Sequence, residues 1–252
     1  MKTRVLPGAE EFRFDAGPTG AVLLHGFSGC PASMRPLGEW LAERGVSSVG
    51  PRLPGHGTNW EDLDTTTWQD WVKEAEDALA DVSSRCPDVI VVGMSMGAAL
   101  AVHLAATHQD RLRGLAVINA LIRRPDLALT GLARLFTKTV KGVGNDIKRT
   151  GQDEIVYERI PLRAAGQMGK LLRTADAELP SLTLPLVVFS APEDHTVKAA
   201  NSRRVYERAG SEQKEFVTLP NSYHVATLDY DAEMLFERVL ELARSTARPE
   251  TA

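Results

Sequence analysis

Ser95, Asp194 and His224 supply a hydroxyl, a carboxylate and an imidazole, each placed shortly after an apolar run of the chain. A serine hydroxyl is a poor nucleophile at neutral pH, and it becomes a good one when a histidine takes its proton and an acid orients that histidine. Ser95 stands within Gly93-Met94-Ser95-Met96-Gly97, between the apolar run Val89 to Val92 and the helix-like run Ala98 to Thr107. A strand, a serine on a sharp turn and a helix make a nucleophile elbow. The turn strains the serine backbone, and the flanking glycines let strand and helix approach without a Cβ clash. The hydroxyl then sits at a helix N-terminus, where free N–H groups and the dipole favour negative charge. Gly-x-Ser-x-Gly alone recurs as an ordinary tight turn, so its position between this strand and this helix carries the argument.

The base and the acid should follow later strands. Ser190-Ala191-Pro192-Glu193-Asp194-His195 follows the run ending at Phe189, and Pro220-Asn221-Ser222-Tyr223-His224 follows the run ending at Leu219. Three loops then meet at the carboxyl edge of one sheet, where ligand sites of open α/β sheets lie. Glu193 competes with Asp194 as the acid, and the shorter side chain suits a tight loop better. His195 competes with His224 as the base, but it directly follows the proposed acid and reaches Ser95 less easily. His103 and His108 fall on the helix after the serine, and His56 in the turn Pro54-Gly55-His56-Gly57. Cys30 lies near a glycine-containing loop without a strand-turn-helix context to present its thiol. Acyl transfer further requires donors for the developing oxyanion. One is the backbone N–H of Met96, the residue after the nucleophile. The second is expected from Phe27, because Gly26 allows a turn after the run Ala21 to Leu24 that aims the Phe27 N–H into the pocket.

These loops need a sheet to hold them. Core strands are expected at Ala21 to Leu24, Val46 to Val49, Val89 to Val92, Leu115 to Ile118, Leu186 to Phe189 and Phe216 to Leu219, with antiparallel pairing near Glu11 to Phe14. Helical patterns fall between them: Ser33 to Arg44, Thr67 to Ser84, Met96 to Thr107, Asn201 to Ala209, and Ala232 to Ser245 after an Asp231 N-cap. The alternation predicts an α/β fold, a mostly parallel central sheet with helices on both faces. From Leu121 to Leu179 the rhythm stops, no good strand is visible, and glycines recur. That segment reads as a small helical cap, giving a core of residues 1–120 and 180–252 with a cap of residues 121–179. Within Leu121 to Thr150, seven bases, among them Arg123, Arg134 and Lys138, face only Asp126 and Asp146. With Leu132, Leu135 and Phe136 they suggest weak contact with an anionic lipid surface, against the plainer reading of a solvated helix whose apolar side roofs the pocket.

A chain of 252 residues with 43% hydrophobic content suits one domain with an insertion. A net charge of −4 without a basic stripe argues against nucleic acid as a partner. Met1 to Gly17 is charged and poor in apolar residues, unlike a secretory signal, and no run approaches a membrane span. The two cysteines, Cys30 and Cys86, form no metal-ligand spacing and fit a reducing cytoplasm. With neither a metal cluster nor a dinucleotide fingerprint, no cofactor is expected. A monomer or a homodimer is expected.

Leu23-Leu24-His25-Gly26-Phe27, Pro51-Arg52-Leu53-Pro54-Gly55-His56-Gly57, the serine elbow, Asn221-Ser222-Tyr223-His224-Val225 and the cap stretches Gly144-Asn145-Asp146-Ile147-Lys148 and Glu154-Ile155-Val156-Tyr157-Glu158 together carry a resemblance. Through nearly its whole length the chain resembles the bacterial monoacylglycerol lipase and carboxylesterase group of the α/β-hydrolase superfamily, whose chain order is serine, acid, histidine. The resemblance implies an α/β-hydrolase fold and a serine ester hydrolase acting on monoacylglycerols, or on related medium- and long-chain simple esters, through an acyl-enzyme on Ser95. It implies Ser95, Asp194 and His224 as the triad, Phe27 and Met96 as oxyanion donors, and Glu154 as a cap residue contacting the alcohol part of the ester. Ala191-Pro192 departs from relatives that often carry glycine there. The same machinery also suits an acyl thioesterase or a perhydrolase, and the fold leaves open a ligand-binding receptor without turnover.

Overall fold

Every residue of the strand Asp88–Met94 is buried, as a strand covered by helices on both faces requires. It is the fourth strand, β4, of a seven-stranded sheet in the computed structural model, which describes residues 4–246. Residues 1–3 and 247–252 of the expected core lie outside that range. The other sheet strands are β1 (Phe12–Phe14), β2 (Thr19–Leu24), β3 (Val46–Gly50), β5 (Gly114–Ile118), β8 (Leu186–Ser190) and β9 (Lys214–Thr218). Their spatial order is β1-β3-β2-β4-β5-β8-β9. Only β1 runs antiparallel, with Phe12 opposite Gly50, and the remaining neighbours are parallel.

Alternation along the strands divides the core into two layers. Val22, Leu24, Val89 and Val91 pack with α3 (Trp68–Ser83) and α4 (Met96–Thr107), whereas Ala21, Leu23, Ile90 and Val92 pack with α1 (Arg35–Ala42) and α8 (Ala232–Thr246). Two further helices are α2 (Trp60–Thr65), which packs against the segment between β5 and β8, and α7 (Ala200–Arg208), which flanks β8 and β9. A capping box starts α3: Thr67 Oγ1 accepts from the Asp70 N–H while Asp70 accepts from the Thr67 N–H at 2.8 Å. α4 is buried on nearly every side through small residues such as Ala98, Ala99 and Ala101, with only His103, Ala106 and Thr107 short of full burial. α8 begins directly after Asp231, as expected, and the Asp231 carbonyl accepts from Leu235 N at 3.0 Å. The Asp231 carboxylate accepts from Asn221 N, Asn221 Nδ2 and Ser222 Oγ, bracing the loop before His224.

Between β5 and β8 the chain leaves the sheet. This segment contains a one-turn helix α5 (Thr130–Ala133), the long helix α6 (Leu162–Glu178) and a ribbon absent from the sequence reading, β6 (Thr139–Lys141) paired antiparallel with β7 (Arg159–Pro161). Three-residue strands are too short to show a period of two, and that is why they escape periodicity. α6 packs on α4, and His103 on α4 bonds both carboxylate oxygens of Glu178 on α6 at 3.0 and 2.9 Å. Among the described residues no helix is long and apolar enough to cross a membrane.

Candidate active site

The turn from β4 to α4 places Ser95 in a conformation that L-residues rarely adopt, φ 57° and ψ −119°. Two glycines make the turn possible. A Cβ on Gly97 would stand 2.5 Å from the His25 carbonyl oxygen and closer still to that of Leu24, and one on Gly93 would overlap Gly97 itself. The turn is pinned from β5, since Ser95 N donates to Ile118 O at 3.0 Å and Leu121 N to Ser95 O at 3.1 Å. The loop after β2 comes alongside, and a Cβ on Gly26 would be 3.3 Å from the Ser95 Cβ. Neither Phe27 N–H nor Met96 N–H donates to a protein acceptor among the described residues.

Six histidines are sorted by their surroundings. Burial pushes His25 down to about 4 and His56 well below its ordinary value, so both are neutral. His25 Nδ1 then donates to Gly26 O and its Nε2 accepts from Leu53 N, which fixes the loop that carries Phe27. His103 faces Glu178 and His108 faces Glu76, both away from Ser95. His195 lies mostly in solvent, with Nδ1 2.8 Å from Asp146 and its ring edge-on to Tyr223. His224 alone combines a buried carboxylate partner with a place in the cavity of Ser95: its Nδ1 is 2.8 Å from Asp194 Oδ2. With a carboxylate as acceptor, Nδ1 carries the proton and Nε2 is left as the acceptor.

Asp194 is held from the other side as well, by Thr196 N–H at 2.8 Å and Val197 N–H at 2.7 Å on Oδ1. Glu193, its rival, points outward to Lys148. The Cys30 thiol is buried and pushed up to about 11, which leaves it protonated and a poor nucleophile.

Ser95 and His224 open into one cavity of about 300 Å³ lined mainly by apolar side chains, including Phe27, Leu121, Leu127, Ile160, Met168 and Val225. Glu154 stands in its wall. Gly29 makes the room, since a Cβ there would be 2.9 Å from Glu154 Oε1. Burial pushes the Glu154 carboxyl up to about 7; the His224 charge opposes this and the Asp146 charge adds to it.

Two residues of this region, Asn119 and Tyr157, have a role that the sequence did not assign. Asn119, at φ 44° just past β5, accepts from Ala191 N at 2.7 Å and donates to the carbonyls of Tyr223 and His224 at 3.1 and 2.8 Å. It thereby joins the loops of Asp194 and His224. Tyr157 donates to Gly55 O at 2.8 Å and accepts from Thr58 N at 2.8 Å, tying the segment after Glu154 to the turn around His56. An asparagine or tyrosine in a loop carries no periodicity; only a position between three loops makes it informative.

The model of the family described as "Serine aminopeptidase, S33" matches residues 18–231. A thermostable monoacylglycerol lipase of Bacillus sp. (strain H-257) is 41% identical over 239 residues, covering 94% of this chain and 95% of that protein. A carboxylesterase of Bacillus subtilis (strain 168) is 25% identical over 233 residues, 91% of this chain and 94% of that one. Among solved structures, one from work on the metagenome-derived lipolytic enzymes LipS and LipT superposes with a TM-score of 0.93 at 37% identity, covering 96% of this chain and all of that one. A monoacylglycerol lipase of Paleococcus ferrophilus superposes with a TM-score of 0.79, covering 98% of this chain and all of that one, and at 17% identity it speaks for the fold alone. The chain belongs to the serine aminopeptidase S33 family of α/β-hydrolases, on its bacterial monoacylglycerol lipase and esterase branch, and is a carboxylic ester hydrolase.

Proposed function

We propose that Ser95, His224 and Asp194 form the catalytic triad and that the enzyme cleaves monoacylglycerols, or related medium- and long-chain esters, to a fatty acid and an alcohol. The observation that carries this is the Asp194-oriented His224 in the same apolar cavity as a strained serine at the head of α4. His224 Nε2 takes the Ser95 proton as Oγ bonds to the ester carbonyl carbon, and Asp194 stabilises the imidazolium. The N–H groups of Phe27 and Met96 hold the oxyanion, each such donor being worth roughly 3 kcal/mol in the transition state. On collapse the ester C–O bond breaks and the leaving alkoxide takes the proton from His224. Water, deprotonated by the same imidazole, then attacks the acyl-enzyme and releases the acid with Ser95 restored.

Residues 121–179 act as a cap over the sheet in this reading. The cavity of about 300 Å³, lined mainly by apolar side chains, suits the acyl chain of the ester. Glu154, with a carboxyl near 7, accepts from or donates to the hydroxyls of the alcohol. The cap exposes Leu135 at 76% and Phe136 at 86% next to Arg134 and Lys138, which supports weak contact with an anionic lipid surface; sedimentation with anionic and neutral vesicles tests this, and equal absence from both pellets refutes it. Two buried, unlinked cysteines suit a cytoplasmic location, and the active unit is a monomer or a homodimer.

Initial rates on monoacylglycerols, triacylglycerols, short and long simple esters and acyl thioesters, with Ser95→Ala as control, test the reading. Serine-dependent preference for monoacylglycerols supports it. Preference for short simple esters assigns a general carboxylesterase, and full turnover by Ser95→Ala refutes the nucleophile.

A further inference from the structure

Asp146 belongs to the segment between β5 and β8, yet its hydrogen bonds run to both loops that carry the proposed acid and base. Its side chain is buried, and it accepts from His195 N at 3.0 Å, His195 Nδ1 at 2.8 Å and Thr196 Oγ1 at 3.1 Å. These are the two residues directly after Asp194. Its main-chain carbonyl accepts from Val225 N, directly after His224, at 3.2 Å. Thr196 N in turn donates to Asp194 Oδ1, so the residue clasped by Asp146 is one that orients the acid. A second buried carboxylate secures the same stretch: Asp229 accepts from Lys148 N at 2.7 Å and Arg149 N at 3.0 Å while also accepting from Tyr223 N at 2.9 Å, directly before His224. Two carboxylates and the Asp146 carbonyl thus lace residues 146–149 to the two residues after Asp194 and to the residues on either side of His224.

We propose that Asp146 is a positioning residue for the Asp194–His224 pair, so that residues 146–149 are a fixed part of the catalytic framework and do not travel with an opening cap. The proposal rests on the triad reading above. Removing a carboxylate that accepts three donors lets the acid loop relax. Displacements of about 1 Å in a catalytic group cost on the order of 10²-fold in rate, and loss of the outer partners that orient metal-ligating side chains, a comparable role, typically costs about 10- to 100-fold. Because Asp146 acts through the acid and base, the loss falls in kcat with little change in KM.

The test compares wild type with Asp146→Ala, Asp146→Asn, Thr196→Val and Asp194→Asn, measuring kcat and KM on a 4-nitrophenyl ester, the rate of phosphonylation by a fluorophosphonate, and thermal unfolding. Asp146→Ala, folded at the assay temperature, should lose about 10- to 100-fold in both kcat and phosphonylation rate with KM within about threefold. Asp146→Asn should recover most of that loss, because the amide oxygen still accepts from His195 N and Thr196 Oγ1; a mere charge effect would make the two variants alike. A folded Asp146→Ala with kcat within threefold of wild type overturns the proposal, as does a loss confined to KM. If Asp146→Ala does not fold, Thr196→Val carries the test, with a several-fold fall in kcat expected and an unchanged kcat overturning it. Full activity in Asp194→Asn would sink the triad reading itself, whereas a crippled Asp194→Asn beside unaffected Asp146 variants would sink only the positioning role.

Discussion

Replacing Glu154 by glutamine removes a buried ionisation and should change how stability depends on pH. Burial is the main cause of the Glu154 carboxyl rising from 4.5 to about 7; His224 opposes the rise and Asp146 reinforces it. In the unfolded chain the proton leaves near the ordinary value, and in the folded chain only near 7. Between these values the folded state keeps a proton that the unfolded state has released, so stability falls as pH rises through the window and levels off above it. With a tenfold change in proton affinity worth 1.36 kcal/mol, the interval from 4.5 to about 7 corresponds to roughly 3 kcal/mol. That figure is an upper value, because the side chain is partly open to the cavity and water there shields the charge. Glutamine keeps the shape and has no proton to lose. Urea unfolding of both proteins at pH 5, 6, 7 and 8 should show the stability difference, variant minus wild type, growing by about 2 kcal/mol and flattening above pH 7.5. A difference that stays constant with pH would refute the reasoning that Glu154 is charged only at a cost in its folded setting.

Gly97→Ala should destabilise the protein by about 3 kcal/mol or more and abolish hydrolysis, because its Cβ meets backbone carbonyls of Leu24 and His25 that cannot swing aside; thermal unfolding and ester turnover check this. Asn119→Ala strips the Ala191 N–H of its acceptor and two carbonyls of a donor, and at about 1–3 kcal/mol per buried unsatisfied group it should cost about 3 kcal/mol in denaturant unfolding, with kcat falling as well. Asp194→Asn should leave the fold intact and lower kcat by about 10³- to 10⁴-fold, read by stopped-time assays at high enzyme concentration.

The parallel core was legible because strands buried on both faces are unbroken apolar runs: Val89 to Val92 and Leu186 to Phe189 lie within β4 and β8. The loops of Ser95, Asp194 and His224 were legible because each follows such a run, so the sheet dictates where they emerge. Helix α2 was not legible, being six residues that start with Trp60 on an Asn59 cap and contain one fully buried side chain, Leu63. The β6 and β7 ribbon was hidden by its length. Asp231, before an apolar periodic stretch, marked the start of α8, but the three donors that Asn221 and Ser222 offer its carboxylate left no pattern in the sequence. The bonds of Asp146 to His195 and Thr196 and of Asp229 to Lys148 and Arg149 escaped because they join loops distant in sequence, which no local pattern of side chains announces.

Intact-protein mass spectrometry after reaction with a fluorophosphonate, followed by peptide mapping, tests the central claim most directly. A single adduct on the peptide bearing Ser95, abolished in Ser95→Ala and slowed in Asp194→Asn, is the predicted result. An adduct on another residue, or no adduct in a protein that still hydrolyses esters, would contradict the account.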